Sequence, residues 1–252
     1  MKANLNFITL SRSSIFVLFS LFSFFTLQAQ VNVNPGAGSY PTLKDAFDAI
    51  NAGTHTGAIT VDIVGNTTEP VGGAILNASG AGAASYTTIL IQPSGGAART
   101  ITGAATAGLP LIDLNGADNV TINGLNTGGN SLTISNTTVS ATSITSTIRF
   151  IGGATGNTIT NCSIQGSGTM SVATNGATIF FSTDAVTANG NDNNTISNCD
   201  IGPAGANLPT KAILGNGSTT TTAIGNSGNI INNNNIFDFF GAAVTSSGIA
   251  IN

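Results

Sequence analysis

Four stretches of this chain align without a gap: VTINGLNT (Val120–Thr127), NTITNCSI (Asn157–Ile164), NTISNCDI (Asn194–Ile201) and NIINNNNI (Asn229–Ile236). Their anchoring isoleucines, Ile122, Ile159, Ile196 and Ile231, are spaced 37, 37 and 35 residues apart. A self-similar period of that length marks a solenoid, in which each repeat is one coil and buries its apolar face only against its neighbours. A second strip precedes each anchor: LIDLN from Leu111, TIRFI from Thr147, TIFFS from Thr178 and AILGN from Ala212. Each coil therefore contributes at least two short strands.

Within the strips apolar residues alternate with polar ones, as Ile148 and Phe150 do with Thr147 and Arg149. This is the period-two signature of strands with one buried face. After Ile159 the alternation slips at Asn161, so one residue must bend the chain there. Asparagine tolerates the left-handed backbone region better than other non-glycine residues, which predicts corners at Asn161, Asn198 and Asn233. Stacked about 4.8 Å apart in parallel coils, these three are expected to hydrogen-bond one another as a structural ladder. Cys162 and Cys199 fall in the same column. At that separation they can form a disulfide or remain stacked buried thiols.

Outward from the repeat, Leu43, Ala46, Phe47 and Ile50 recur at helical spacing, so TLKDAFDAINAG reads as a short amphipathic helix. Thr42 and Asp45 resemble a capping box and Gly53 stands where the helix should stop. This helix is expected to plug the first coil, which would begin at Ala58. The expected organisation is a leader over 1–29, an N-terminal segment with the capping helix over 30–57, and a parallel β-helix over 58–252. The leader has Lys2 and Arg12 ahead of the apolar run IFVLFSLFSFFTL, which is too short to span a bilayer and ends near Ala29. It reads as a signal peptide cleaved after Ala29, sending the protein out of the cell with no transmembrane segment in the mature chain. SSGIAIN at the end stops in what reads as mid-coil, and a continuation beyond Asn252 is expected.

Only 6% of the residues are charged, against about 25% in ordinary globular domains. The net charge of −4 is spread without patches, which argues against nucleic-acid binding. Two cysteines do not make a disulfide-stapled scaffold.

The helix, the following strand and the N-x-I-x-N coils together resemble right-handed parallel β-helix proteins of the pectin-lyase-like class. NAGTHTGAITVDIVGNTTEP (51–70) is similar to the start of large bacterial surface proteins that carry a C-terminal sorting domain. The resemblance implies an all-β, single-stranded right-handed solenoid; that fold hosts lyases, hydrolases, adhesins and structural stalks alike.

Polysaccharide-cleaving members would place carboxylates for calcium and an Arg or Lys base on one outward strip. Asp113 and Arg149 occupy equivalent outward positions, which reads as an exposed ion pair or, as the rival, a catalytic base; the next equivalents, Phe180 and Leu214, end the row. Phe180 and Phe181 are adjacent, so alternation should expose one of them, to stack on a sugar or to pack beneath the loop at 185–193. Asp113, Arg149 and Phe180 are thus the candidate ligand-binding surface. The other acids, Asp62, Asp118, Asp184, Asp192, Asp200 and Asp238, are scattered, and only Asp192 and Asp200 are placed to approach each other as a glycosidase pair would. His55, the single histidine, sits in a GTHTG turn without a nucleophile elbow and reads as structural. The glycine-rich run from Gly72 to Gly103 has no phosphate-binding pattern. Neither a metal, a cofactor nor a catalytic residue is expected. The leading expectation is a non-enzymatic structural or adhesive module of a bacterial surface protein, meeting an extracellular glycan or a host or neighbouring surface. The alternative is a carbohydrate-binding or polysaccharide-degrading β-helix, a lyase or glycosidase.

Overall fold

The computed structural model describes residues 29–184, 189–218, 220–242 and 244–251. Residues 1–28, where the leader is expected, lie outside them. The alternation read in the strips is realised as a parallel β-solenoid of six coils, each contributing one strand to each of three sheets.

The first coil holds β3 (Thr56–Ile63), β4 (Thr67–Glu69) and β5 (Ala74–Asn77), and the second β6 (Ser85–Pro93), β7 (Ala98–Gly103) and β8 (Pro110–Asn115). In the third are β9 (Val120–Asn123), β10 (Ser131–Asn136) and β11 (Ser146–Ile151), and in the fourth β12 (Thr158–Thr160), β13 (Cys162–Gly166) and β14 (Ile179–Phe181). The fifth comprises β15 (Thr195–Ser197), β16 (Asp200–Pro203) and β17 (Lys211–Gly215), the sixth β18 (Ile230–Asn232), β19 (Asn235–Ile236) and β20 (Ser247–Ile251).

Register makes the core columnar. In the first sheet Val61, Ile91, Ile122, Ile159, Ile196 and Ile231 pair in succession. The second sheet continues inward with Ile101, Ile134, Ile164, Ile201 and Ile236, the third with Ile112, Ile148, Ile179, Ile213 and Ile249. Burying one such side chain fully is worth roughly 1.5–3 kcal/mol, so the stacked isoleucines are the main source of cohesion. Between the first and second sheets the chain turns at Asn161, Asn198 and Asn233, with φ of 56, 53 and 53°. One coil earlier Gly124 takes the equivalent place; a Cβ there would lie 1.9 Å from the Asn161 carbonyl oxygen, so only glycine fits.

The N-terminal face is closed on all three sheets. β1 (Val31–Asn34) pairs antiparallel with β3 and with β2 (Gly38–Tyr40), a hairpin that the sequence did not announce. Helix α1 (Leu43–Asn51) buries Leu43, Ala46, Phe47 and Ile50 against the end of the coil. It begins at Thr42, whose hydroxyl accepts from Asp45 N (3.1 Å), and ends in a Schellman turn: Gly53 N donates to Ile50 O (3.0 Å) and Thr54 N to Ala49 O (2.9 Å), with Gly53 at φ 74°. Glu69, buried on β4, accepts from Leu43 N (3.0 Å) and Lys44 N (2.8 Å), supplying the anion that a helix N-terminus favours. Asn51 occupies the edge of β5 as another strand would, donating to Ile75 O (2.8 Å) and accepting from Asn77 N (3.0 Å).

Candidate functional site

Asp113 on β8 and Arg149 on β11 face outward from the third sheet in register. Nε donates to Oδ1 at 2.9 Å and Nη2 to Oδ2 at 2.6 Å, a bidentate clamp across two coils. The pair is not the exposed contact expected from strand alternation: the Arg149 side chain is 14% and the Asp113 side chain 5% accessible. A planar guanidinium matched to a carboxylate and shielded from water is a fixed structural tie, because breaking it would strand a charge.

Phe180 continues that row, pairing with Arg149 on one side and Leu214 on the other. Alternation predicted that either Phe180 or Phe181 would be exposed, and that expectation is corrected, since both are buried. Phe181 points inward and stacks on Phe150, centroids 4.5 Å apart and planes 10° from parallel. Phe180 packs on the outer side with Ala177 and Leu214 in a second, smaller cluster, with Ala250 at its margin. Outward does not mean solvated here, and no flat ring is offered for stacking on a sugar at this position.

Asp192 and Asp200 do not form a working pair: each is tied to the following coil. Asp192 Oδ1 accepts from Ser227 N (2.7 Å) and Ser227 Oγ (3.0 Å), while Asp200 Oδ1 accepts from Asn235 Nδ2 (3.0 Å). Asp62 likewise accepts from Gln92 one coil on (3.0 Å). Asp118 accepts from Thr155 N (2.7 Å), and partial burial raises its carboxyl above the ordinary range. His55 is 2% exposed; its Nδ1 donates to Pro35 O (2.7 Å) and its Nε2 is hydrogen-bonded to the Tyr40 hydroxyl (2.7 Å). It pins the β1–β2 hairpin.

Cys162 and Cys199 are free and buried. Each thiol donates to a carbonyl two residues back, Thr160 O and Ser197 O, at 3.2 Å. Contact with Cys199 and then burial hold the Cys162 thiol well above the usual thiol range, so it is a poor nucleophile and a poor metal ligand.

The hydrogen-bonded asparagine ladder runs elsewhere than expected. Asn161 Nδ2 does reach Asn123 Oδ1 (3.0 Å). The extended ladder, however, lies at the opposite corner, ahead of the first sheet, in Asn157, Asn194 and Asn229. Asn157 N and Nδ2 both donate to Asn194 Oδ1 at 3.0 Å, and Asn194 N and Nδ2 to Asn229 Oδ1 at 2.8 and 3.1 Å. Val120 N closes the series on Asn157 Oδ1 (2.8 Å). Asn191 and Asn226 make a parallel rung, again 35 residues apart. These residues share the repeat's frame, so the column was visible; which of two asparagine columns would ladder was not.

Lys211 also escaped the sequence reading. It is 2% exposed, and its Nζ donates to Ser171 O (3.0 Å) and Thr174 O (2.5 Å), clamping the loop of the preceding coil; burial lowers its pKa. A recess of about 990 Å³ opens at the last coil among Phe181, Asn216, Asn226, Ile231, Ile249 and Ile251. It is the interior of the solenoid seen from its C-terminal side, and its lining has no titratable side chain. Among the described residues no group of three or more metal-ligating side chains occurs and no helix is long and apolar enough to cross a membrane. No family model matches the chain, and neither a curated protein nor a solved structure is significantly similar to it.

Proposed function

We propose that this protein is a secreted, non-enzymatic β-solenoid module of a bacterial surface protein, a rigid stalk or adhesive spacer of the right-handed, pectin-lyase-like kind. The observation that carries this reading is how the buried charges are used. Asp113 and Arg149 close on each other across coils, Glu69 holds the helix and Lys211 holds a neighbouring loop, so each is committed to stiffness rather than left available to a substrate. Right-handed connection is the rule for parallel strands joined within one sheet. Gln30 supports export with cleavage after Ala29: its backbone already bonds to Tyr40, Val64 and Gly65, so a chain starting there keeps the entire N-terminal closure.

Two measurements test the proposal. N-terminal sequencing of the protein recovered outside the cell should begin at Gln30, and retention inside the cell with residues 1–29 intact would contradict export. A glycan array should show no binding that depends on Arg149; specific binding abolished in Arg149→Ala would favour a carbohydrate-directed protein instead.

A further inference from the structure

Cys162 and Cys199 stand where consecutive coils enter the second sheet. Ser163 pairs with Asp200 and Ile164 with Ile201, so the two cysteines, one residue earlier, are stacked in register on the buried side. Parallel strands set matched Cα atoms about 4.8 Å apart, within the roughly 4.4–6.8 Å that a disulfide spans.

Their positions match but their surroundings do not. The two thiols are in contact, and the Cys162 thiol and backbone N–H both face Cys199 Sγ. These donors favour the Cys199 thiolate and draw its pKa below the ordinary thiol range, while contact and burial hold Cys162 above it. A thiol that ionises readily, set against one that does not, has the arrangement of an attacking and a resolving sulfur. Approach to Cys199 is also the shorter. Its neighbours along the chain, Asn198 and Asp200, are exposed, and the coil above it is the last, where Asn234 accepts from Cys199 N (3.0 Å) and Ile231 and Ile236 are only partly buried. Cys162 lies one coil deeper.

We propose that Cys162 and Cys199 are a peroxide-driven staple, a dithiol that closes to a disulfide between the fourth and fifth coils. The Cys199 thiolate attacks one oxygen of a hydroperoxide; the S–O bond forms, the O–O bond breaks, and the second oxygen takes the thiol proton and leaves as water or an alcohol. The Cys162 sulfur then attacks Cys199 Sγ: the S–S bond forms, the S–O bond breaks, and the hydroxyl departs as water with the Cys162 proton. Two electrons pass from the two sulfurs to the peroxide. Cys162 turns about χ1 from the Thr160 carbonyl to reach its partner, because stacking leaves the two Cα–Cβ bonds parallel. The bond joins residues 37 apart in sequence, beside the end of the solenoid where burial is least complete. The chemistry is independent of where the protein resides and of whether it is an enzyme.

Mass spectrometry of the folded, reduced protein after exposure to hydrogen peroxide tests this. The expected product is a monomer whose two cysteine peptides are joined and lighter by two hydrogen atoms, restored by dithiothreitol. Its melting midpoint should rise by several degrees, a rise absent in C162S and in C199S. C162S keeps the attacking sulfur without the resolving one, so a sulfenic acid should accumulate on Cys199 and be trapped by dimedone; C199S should stay unmodified under the same exposure. Survival of both thiols in the folded wild type overturns the proposal. So does a disulfide between two chains, or oxygen added at either cysteine without the crosslink. Trapping in C199S but not in C162S overturns the assignment of the attacking sulfur.

Discussion

The first and last coils continue the same columns, yet they meet their outer faces differently. In the first, β1 covers the first sheet, Glu69 and α1 cover the second, and the Asn51 amide stands in for a strand on the third. Val61 and Ala74 are consequently fully buried. In the last, Ile231 continues the column of Ile196 but is only partly buried, and Ile230, Ile249 and Ile251 are exposed. The same residue type in the same frame is core or surface according to whether another layer lies beyond it. Burial in a solenoid is conferred by the neighbour rather than carried by the residue.

Breaking a tie within the stack should cost most. Arg149→Ala leaves the shielded Asp113 carboxyl without its partner, and is expected to lower the unfolding free energy by about 3–5 kcal/mol; replacing both by Met and Leu should restore most of it, read by urea denaturation. Equal stability of the single and wild-type proteins would mean that the pair is effectively solvated. The comparison itself is sharpened by two truncations in one column: Ile196→Ala should cost roughly 2–5 kcal/mol and Ile231→Ala less than half as much, because the last coil already yields part of its burial to water. Comparable losses would show that the outer face of the last coil is covered in solution.

The ladder gives a smaller contrast of the same kind. Asn194→Ala orphans the buried N–H of Asn157 and should cost about 1–3 kcal/mol, whereas Asn229→Ala, whose residue is less enclosed, should lie at the lower end of that range. The smallest effect concerns pH at the closed end. Burial raises the Glu69 carboxyl above the ordinary 4.5, against the pull of its two backbone donors. A pKa higher in the folded than in the unfolded chain means that the folded state holds the proton more tightly. Its contribution is fully present below about pH 4.5 and is lost as pH rises through the folded-state value. The wild type should therefore melt slightly higher near pH 4.5 than at pH 7, with Asp118 acting in the same direction, and the double variant E69Q/D118N should flatten that slope. A slope unchanged in the variant would assign the effect to other carboxyls.

Much of the architecture was legible because it is local or periodic. The left-handed corners at Asn161, Asn198 and Asn233, the helix with its Thr42 start and Gly53 stop, and the stacking of Ile122, Ile159 and Ile196 follow from backbone preference and from a repeat that the chain writes out several times. The β1–β2 hairpin was not legible, since VNVN and GSY are too short to show a pattern and pair antiparallel only because β3 presents an edge. The candidate site was legible as a row, Asp113, Arg149, Phe180, but not in its accessibility. Alternation distinguishes the two faces of a strand and is silent about what covers the outer one.

The amino-acid order alone determined the period, the two sides of each strand and the places where the backbone must turn, because these depend on neighbours along the chain and on residues one period away. Only the tertiary structure decided that Phe180 is buried, that Asn157, Asn194 and Asn229 form the continuous ladder, and that Lys211 is enclosed. Those outcomes depend on how loops of unequal length fold back over the sheets, and loop conformation is set by contacts between coils that no single repeat contains.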